Sequence, residues 1–520
     1  MTQTIRVKGL VLLFWLGCAG STIAAVQPHP LFSDHMVLQQ GTKVPVWGLA
    51  AAGEPITVRF QGQEVTCIAA ADGSWRVELA ALKAGGPFEL IIKGNNVVKL
   101  KDVLVGEVWI CSGQSNMEWP LQASKDAQTA LDHCADPGLR LFTVAHAVAL
   151  EPRSSLKGTW AECQSKSAKG FSAVAYYFGR DLRKARNVPV GLIQSAWGGT
   201  PAEAWTSGPF LAMTPELKPM WTHHLANLEN FHKNGDKMRA DYETKLDEWR
   251  KENVAKQAKG EKTAARPPFR APEDPGKSPW GPGQLYGGMI HPLLPFAFRG
   301  VIWYQGESNA NRAYEYRTLM PALIRSWRSA WKRGDFPFLM VQLAPYDRDL
   351  GSETWPELRE AQGLTARQLP NVGMVVITDA GEKDDIHPKD KETVGSRLAL
   401  AARGVAYAEP IVWSGPVYES VAFEGGKAVV RFRQVGGGLM AKDGDLKGFT
   451  ICGKDKQFVP AHARIEGETV IIENPDIPEP IAVRFGWSNF PEVNFYNREG
   501  LPASPFRTDN LDLITKPKAK

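Results

Sequence analysis

Ser115 stands in the stretch Ser112-Gly113-Gln114-Ser115-Asn116, directly after the apolar run Val103 to Cys111. A β-branched apolar run of this kind reads as a buried strand, and Ser-Gly-Gln-Ser-Asn reads as a turn. Met117-Glu118-Trp119 then opens a helix. A serine at a strand-to-helix turn is presented at the C-terminal edge of a sheet, where open α/β folds place their active sites. A nearby helix N-terminus offers free backbone N–H groups to a developing oxyanion. The same residues also fit an ordinary polar loop, because serine is common at turns. The turn is not the Gly-x-Ser-x-Gly elbow, since Met117 occupies the place of the last glycine.

Serine is a weak nucleophile unless a base takes its proton during attack. The chain has ten histidines. His223, His224 and His232 lie in a charged segment, His29 and His35 in an N-terminal β-rich region, and His291 in Met-Ile-His-Pro-Leu, where a packed histidine is expected. His387 follows Asp384 and Asp385 in a loop after the apolar run Val372 to Thr378. With Ser115 it completes a nucleophile, base and orienter set. Residues three apart share a side in a turn or nascent helix, while residues two apart diverge. That favours Asp384 as the orienter; an extended backbone would favour Asp385. Gln305 ends the strand-like run Val301-Ile-Trp-Tyr-Gln305, where its amide could donate to an oxyanion. Asn309, four residues on, could do the same or bind a sugar hydroxyl. Glu307 with Asp384 or Asp385 could instead form the carboxylate pair of a glycosidase. Gly198 and Gly199 follow the strand-like run Val188 to Gln194, where glycine lets the backbone approach a ligand closely or simply makes a tight turn.

Gly113-Gln114-Ser115-Asn116-Met117 resembles the nucleophile block of SGNH-type hydrolases, in particular the sialate O-acetylesterase and carbohydrate acetylesterase group. Gly198-Gly199-Thr200, Trp303-Tyr-Gln-Gly-Glu-Ser-Asn309 and Asp385-Ile-His-Pro388 match that group in the same order. The resemblance implies an SGNH-like, flavodoxin-like fold and a serine esterase that removes O-acetyl groups from carbohydrates through an acetyl-enzyme. Ser115, His387 and Asp384 are then the catalytic residues. Ser115, Gly198, Gly199 and Gln305 form the oxyanion hole, and Asn309 binds substrate. Glu307 is implied to support its loop by hydrogen bonds. The substrates implied are water and an acetylated glycan or sialic acid, with sialic acid, xylan and xyloglucan all open. The other function class left standing is a non-catalytic glycan-binding protein built on β modules and aromatic surfaces.

The elements that must position these residues can be read from the rest of the chain. Strands alternate with helices from about residue 103, which implies a mainly parallel sheet flanked by helices. Helices are expected at 174–186, 312–331, 356–369 and 393–404, and strands at 338–343 and 372–378. Short strand-like runs separated by Gly and Asn turns fill residues 29–100 and imply a small β sandwich. A second β module is expected over 406–520, with strands at 411–413, 428–433 and 470–472. The resulting division is a signal peptide at 1–25, a β module at 26–102, a hydrolase domain at 103–405 and the C-terminal module. A charged, helical insertion interrupts the hydrolase domain at about 211–285.

Composition restricts the function classes. Charged residues make up 22% and the formal net charge is +5 over 520 residues, with scattered basic residues. No nucleic-acid partner is expected. Arg6 and Lys8, the apolar Leu10 to Leu16 and the small residues Ala24-Ala25 read as an export signal, and no other stretch approaches a membrane span. The mature chain is therefore expected to be periplasmic or secreted. The cysteines after Cys18 are sparse and odd in number, with Cys134 and Cys163 the candidate pair. No cofactor and no metal are expected, because neither Cys-x-x-Cys nor His-Glu-x-x-His occurs.

Overall fold

The computed structural model describes residues 25–348 and 351–518. Residues 1–24, which hold almost all of the expected export signal, lie outside the described residues. The strands that carry the site are β1 (Val97–Gly113), β2 (Asp136–Thr143), β3 (Trp160–Cys163), β4 (Val190–Ala196), β5 (Gly300–Tyr304), β6 (Phe338–Val341) and β7 (Val372–Val375). They form a sheet in the order β3-β2-β4-β1-β5-β6-β7. All neighbours are parallel except the edge pair β3–β2.

The labelled helices are α1 (Ser115–Glu118), α2 (Ala173–Arg186), α3 (Lys218–Ala258), α4 (Ala313–Trp331), α5 (Trp355–Gln368) and α6 (Lys391–Val405). From Val103 onward every residue of β1 is buried, as a parallel strand covered on both faces requires. Its side chains alternate between two cores. Trp109 and Cys111 join α2 and α6, while Val108 and Ile110 join the side covered by α4 and α5. Gly395 lets α6 lie close on α2, since a Cβ there would fall 2.6 Å from the Tyr177 Cβ. Ser172 starts α2 by accepting the Ala175 N–H, and Asn187 closes it in a left-handed conformation.

The expected boundary between residues 102 and 103 falls inside β1, which is one continuous strand. Its first part pairs antiparallel with Gly85–Lys93 and parallel with Val37–Gln39, both in the N-terminal β region. Its pairing with that region runs on to Gly106 before the hydrolase sheet takes over at Glu107, and Asp102, with a φ of 53°, pairs with His35 and the buried Arg140.

The C-terminal β region holds two four-stranded sheets. One contains Lys427–Arg433 and Thr469–Glu473, the other Phe449–Cys452 and Ala482–Phe485, and they share an aromatic-rich core. Residues 411–413, expected as a strand, are irregular chain. Their tryptophan, Trp413, is held in place by packing on the glycines: a Cβ at Gly404 would lie 2.1 Å from its ring.

The charged insertion contains α3, a helix of 41 residues. Its first turns are anchored: Trp221 lies on Gly208, and buried His224 meets Gln284 at 3.1 Å. Further along, the helix is exposed and laced by pairs such as Lys233–Glu229 and Lys237–Asp241. No described helix is long and apolar enough to cross a membrane.

Candidate active site

Three parallel strand ends build the nucleophile turn. Gly113 ends β1 with a φ of 142°, and a Cβ there would lie 2.1 Å from the Tyr304 carbonyl oxygen at the end of β5. Only glycine fits this approach. The Gln114 N–H then donates to that carbonyl at 3.0 Å, and the Trp197 N–H, just past β4, donates to the Gly113 carbonyl at 3.2 Å. Ser115 follows as the first residue of α1, half-buried, with a backbone N–H that has no partner within the helix.

His387 reaches Ser115 from the loop between β7 and α6. Its Nε2 lies 2.9 Å from the serine Oγ, so a neutral imidazole accepts the hydroxyl proton there. The ring is stacked on Trp119, with centroids 5.0 Å apart and planes 18° apart. Burial, and then the nearby Lys391 cation, push the His387 pKa below its ordinary value, while Asp385 opposes them.

The carboxylate beside His387 is Asp385. Its Oδ1 accepts the His387 backbone N–H at 2.9 Å and lies 3.8 Å from Nδ1. Asp384 is exposed and makes no hydrogen bond or ion pair among the described residues. In this geometry Asp385, and not the expected Asp384, is the carboxylate nearer the imidazole. The chain from Asp384 to His387 is a sequence of bends rather than a helical turn, so the rule for residues three apart does not apply.

Beneath the pair lies a buried polar cluster centred on Asn116. Its Nδ2 donates to Glu307 Oε1 at 2.5 Å and to the Ile386 carbonyl at 3.0 Å, and its Oδ1 accepts from Lys391 Nζ. One side chain thus ties the nucleophile turn to the loop after β5, the histidine loop and the start of α6. Burial lowers the Lys391 pKa to about 7 and raises that of Glu307. Glu307 is held inside this cluster, with its Oε2 buried and unpartnered, rather than opposed to a second catalytic carboxylate. Asn116 and Lys391 were not singled out from sequence. The signal available was the adjacency of Asn116 to Ser115.

The Trp197-Gly198-Gly199 loop passes close to the nucleophile: a Cβ on Gly198 would lie 3.3 Å from the Ser115 Cβ. The Gly198 N–H donates to Glu118 Oε2 at 2.6 Å. The other oxygen of Glu118 meets His146 Nε2 at 2.9 Å, and the His146 ring stacks on Trp197 at 3.9 Å. This contact with Glu118 raises the His146 pKa. Gly199 adopts a φ of 73°. Its N–H has no acceptor among the described residues, while its carbonyl accepts the Trp280 indole N–H at 2.8 Å.

Gln305 and Asn309 differ from expectation. Both are buried, at 0% and 1% exposure. Gln305 Nε2 donates to Asn309 Oδ1 at 2.7 Å and to the Thr200 carbonyl, and its oxygen accepts from Tyr316. Asn309 donates to Glu203 and accepts the Ala202 N–H. Their polar groups join the loops under the site, so neither an oxyanion donor at Gln305 nor a substrate contact at Asn309 is present in this geometry.

Among the described residues one histidine and acid cluster has spacing for a cation: His35, Asp102 and Glu162. It lies toward the other end of β1, and the Arg140 guanidinium already sits against Asp102 and 3.6 Å from Glu162. Cys134 and Cys163 are buried in the same core as free thiols.

A hydroxyl, a neutral imidazole and nearby backbone N–H groups at the end of a parallel sheet are suited to acyl transfer. The model of the family "Carbohydrate esterase, sialic acid-specific acetylesterase" matches residues 105–240 and 276–403, which include every residue of this site. Sialate O-acetylesterase of Rattus norvegicus is 31% identical, over 91% of this chain and 92% of its own length. That of Homo sapiens is 30% identical over 96% of each. The crystal structure of a carbohydrate acetylesterase from Xanthomonas citri superposes with a TM-score of 0.79 at 37% identity, covering 94% of this chain and all of that one. The chain belongs to the sialic acid-specific acetylesterase family of carbohydrate esterases. It is a carbohydrate O-acetylesterase.

Proposed function

We propose that the chain is a serine esterase that releases acetate from O-acetylated carbohydrates through an acetyl-enzyme. The observation that carries this reading is the 2.9 Å contact between Ser115 Oγ and His387 Nε2. The Ser115 oxygen attacks the acetyl carbonyl while His387 takes its proton. The imidazolium returns that proton to the departing sugar oxygen, leaving acetyl-Ser115. Water, deprotonated by His387, then attacks the acetyl carbonyl and frees acetate and Ser115. Asp385 faces the imidazolium and balances its charge. The Ser115 and Gly199 N–H groups receive the oxyanion, because the Gly198 N–H is occupied by Glu118.

The parallel sheet with helices on both faces supports an SGNH-like arrangement; the same reading keeps β modules at 26–102 and 406–520 and takes the mature chain as exported. The relatives named for sialate make acetylated sialic acid one substrate to test, beside acetylated plant polysaccharides. Ser115→Ala is expected to lower acetate release by about 10⁴-fold or more with the fold intact. Near-normal release by the folded variant would remove Ser115 from the mechanism.

A further inference from the structure

Trp280 stands out on the surface: 54% of it is exposed, unlike any other tryptophan among the described residues. Its indole is nevertheless fixed, since Nε1 donates to the Gly199 carbonyl at 2.8 Å. Gly199 follows Gly198, which touches Ser115 and carries the Glu118 contact. The exposed ring therefore borders the nucleophile loop. Glu118 and His146, held against Gly198 and Trp197 of the same loop, are partly open, with side-chain exposures of 31% and 41%.

We propose that Trp280 is the stacking platform for the pyranose ring presented to Ser115, and that the Glu118–His146 pair receives that sugar's hydroxyls. A pyranose has apolar C–H faces and a polar rim. It matches a flat indole face held on a loop whose neighbouring residues Gly198 and Trp197 hold a carboxylate and an imidazole. The hydrogen bond to Gly199 holds the indole in one orientation before substrate arrives, which reduces the ordering needed on binding. This assignment gives the segment after α3 a role in substrate choice. It rests on the reading of the chain as a Ser115 esterase acting on acetylated carbohydrate.

The test uses the full chain with Trp280→Ala and Trp280→Phe, assayed on p-nitrophenyl acetate, glucose pentaacetate and acetylated xylan. Trp280→Ala also frees the Gly199 carbonyl, so some loss common to all three substrates is expected; the loss of kcat/KM on the two sugar esters is expected to exceed that on p-nitrophenyl acetate by about tenfold, mainly through KM. Trp280→Phe keeps an aromatic face without the N–H and is expected to recover most of the sugar activity. Equal losses on all three substrates would make Trp280 only a brace for Gly199 and overturn the proposal. So would unchanged sugar kinetics in Trp280→Ala. If the wild type hydrolyses p-nitrophenyl acetate but neither sugar ester, the carbohydrate reading beneath the proposal fails, and the proposal with it.

Discussion

Trp119 lies face to face with His387, with 5.0 Å between centroids and 18° between planes. Burial, and then the Lys391 cation, disfavour the imidazolium, and the His387 pKa is lowered. A general base acts in its neutral form, so activity is lost as pH falls through that lowered value. The acid limb of kcat/KM is expected below the ordinary histidine value of about 6.5. Removing the cation with Lys391→Met raises the His387 pKa and moves the limb upward. A pH profile with the same limb in both proteins would show that His387 does not set it.

Asp385→Asn is expected to cost about 10²–10⁴ in kcat, because the imidazolium loses its facing carboxylate. Asp384→Asn, altering an exposed group without partners, is expected to stay within about twofold, since surface changes away from such contacts do little. The two variants are compared by kcat at matched thermal stability. A larger loss for Asp384→Asn would restore the choice made from sequence spacing.

Glu118→Gln keeps an oxygen for the Gly198 N–H but removes the charge that meets His146. The loop beside Ser115 is then less firmly held, and kcat is expected to fall about tenfold to a hundredfold, as small misplacements do. An unchanged or raised kcat on p-nitrophenyl acetate would mean that Glu118 obstructs the Gly198 N–H rather than positioning it.

Gln305→Ala tests the buried network. It removes one partner each from Asn309, Tyr316 and the Thr200 carbonyl, leaving the Tyr316 hydroxyl only the Met320 sulfur, so the expected effect is a stability loss of about 1–3 kcal/mol in denaturant unfolding. A fall in kcat of about 10²-fold at unchanged stability would return Gln305 to the oxyanion hole.

The sequence displayed the parallel sheet well because buried strands and amphipathic helices have distinct periods. Ala173–Arg186 and Val190–Ala196 lie within a residue or two of their expected limits. The 2.9 Å contact between Ser115 and His387 was legible for a chemical reason, since only a few residue types can serve as nucleophile and base. The choice between Asp384 and Asp385 depends on a backbone path that local spacing does not encode. Gln305 and Asn309 looked catalytic because amides suit both oxyanion binding and buried networks; only the positions of Tyr316, Thr200 and Glu203 separate the two. Glu118, His146 and Lys391 come from segments far apart in the chain, and no local pattern joins them.

The unbroken strand Val97–Gly113 has a consequence for how the chain folds. Its first part pairs with Val37–Gln39 and Gly85–Lys93, and its last part with Val190–Ala196 and Gly300–Tyr304. The N-terminal β region and the nucleophile turn therefore share one cooperative unit, with contacts that close loops of widely different length. Loosening Gly85–Lys93 frays the same strand that ends at Ser115. Protection against amide hydrogen exchange along β1 is expected to be lost as a block across Asp102, so that damage in the β region registers as lost esterase activity at the distant site.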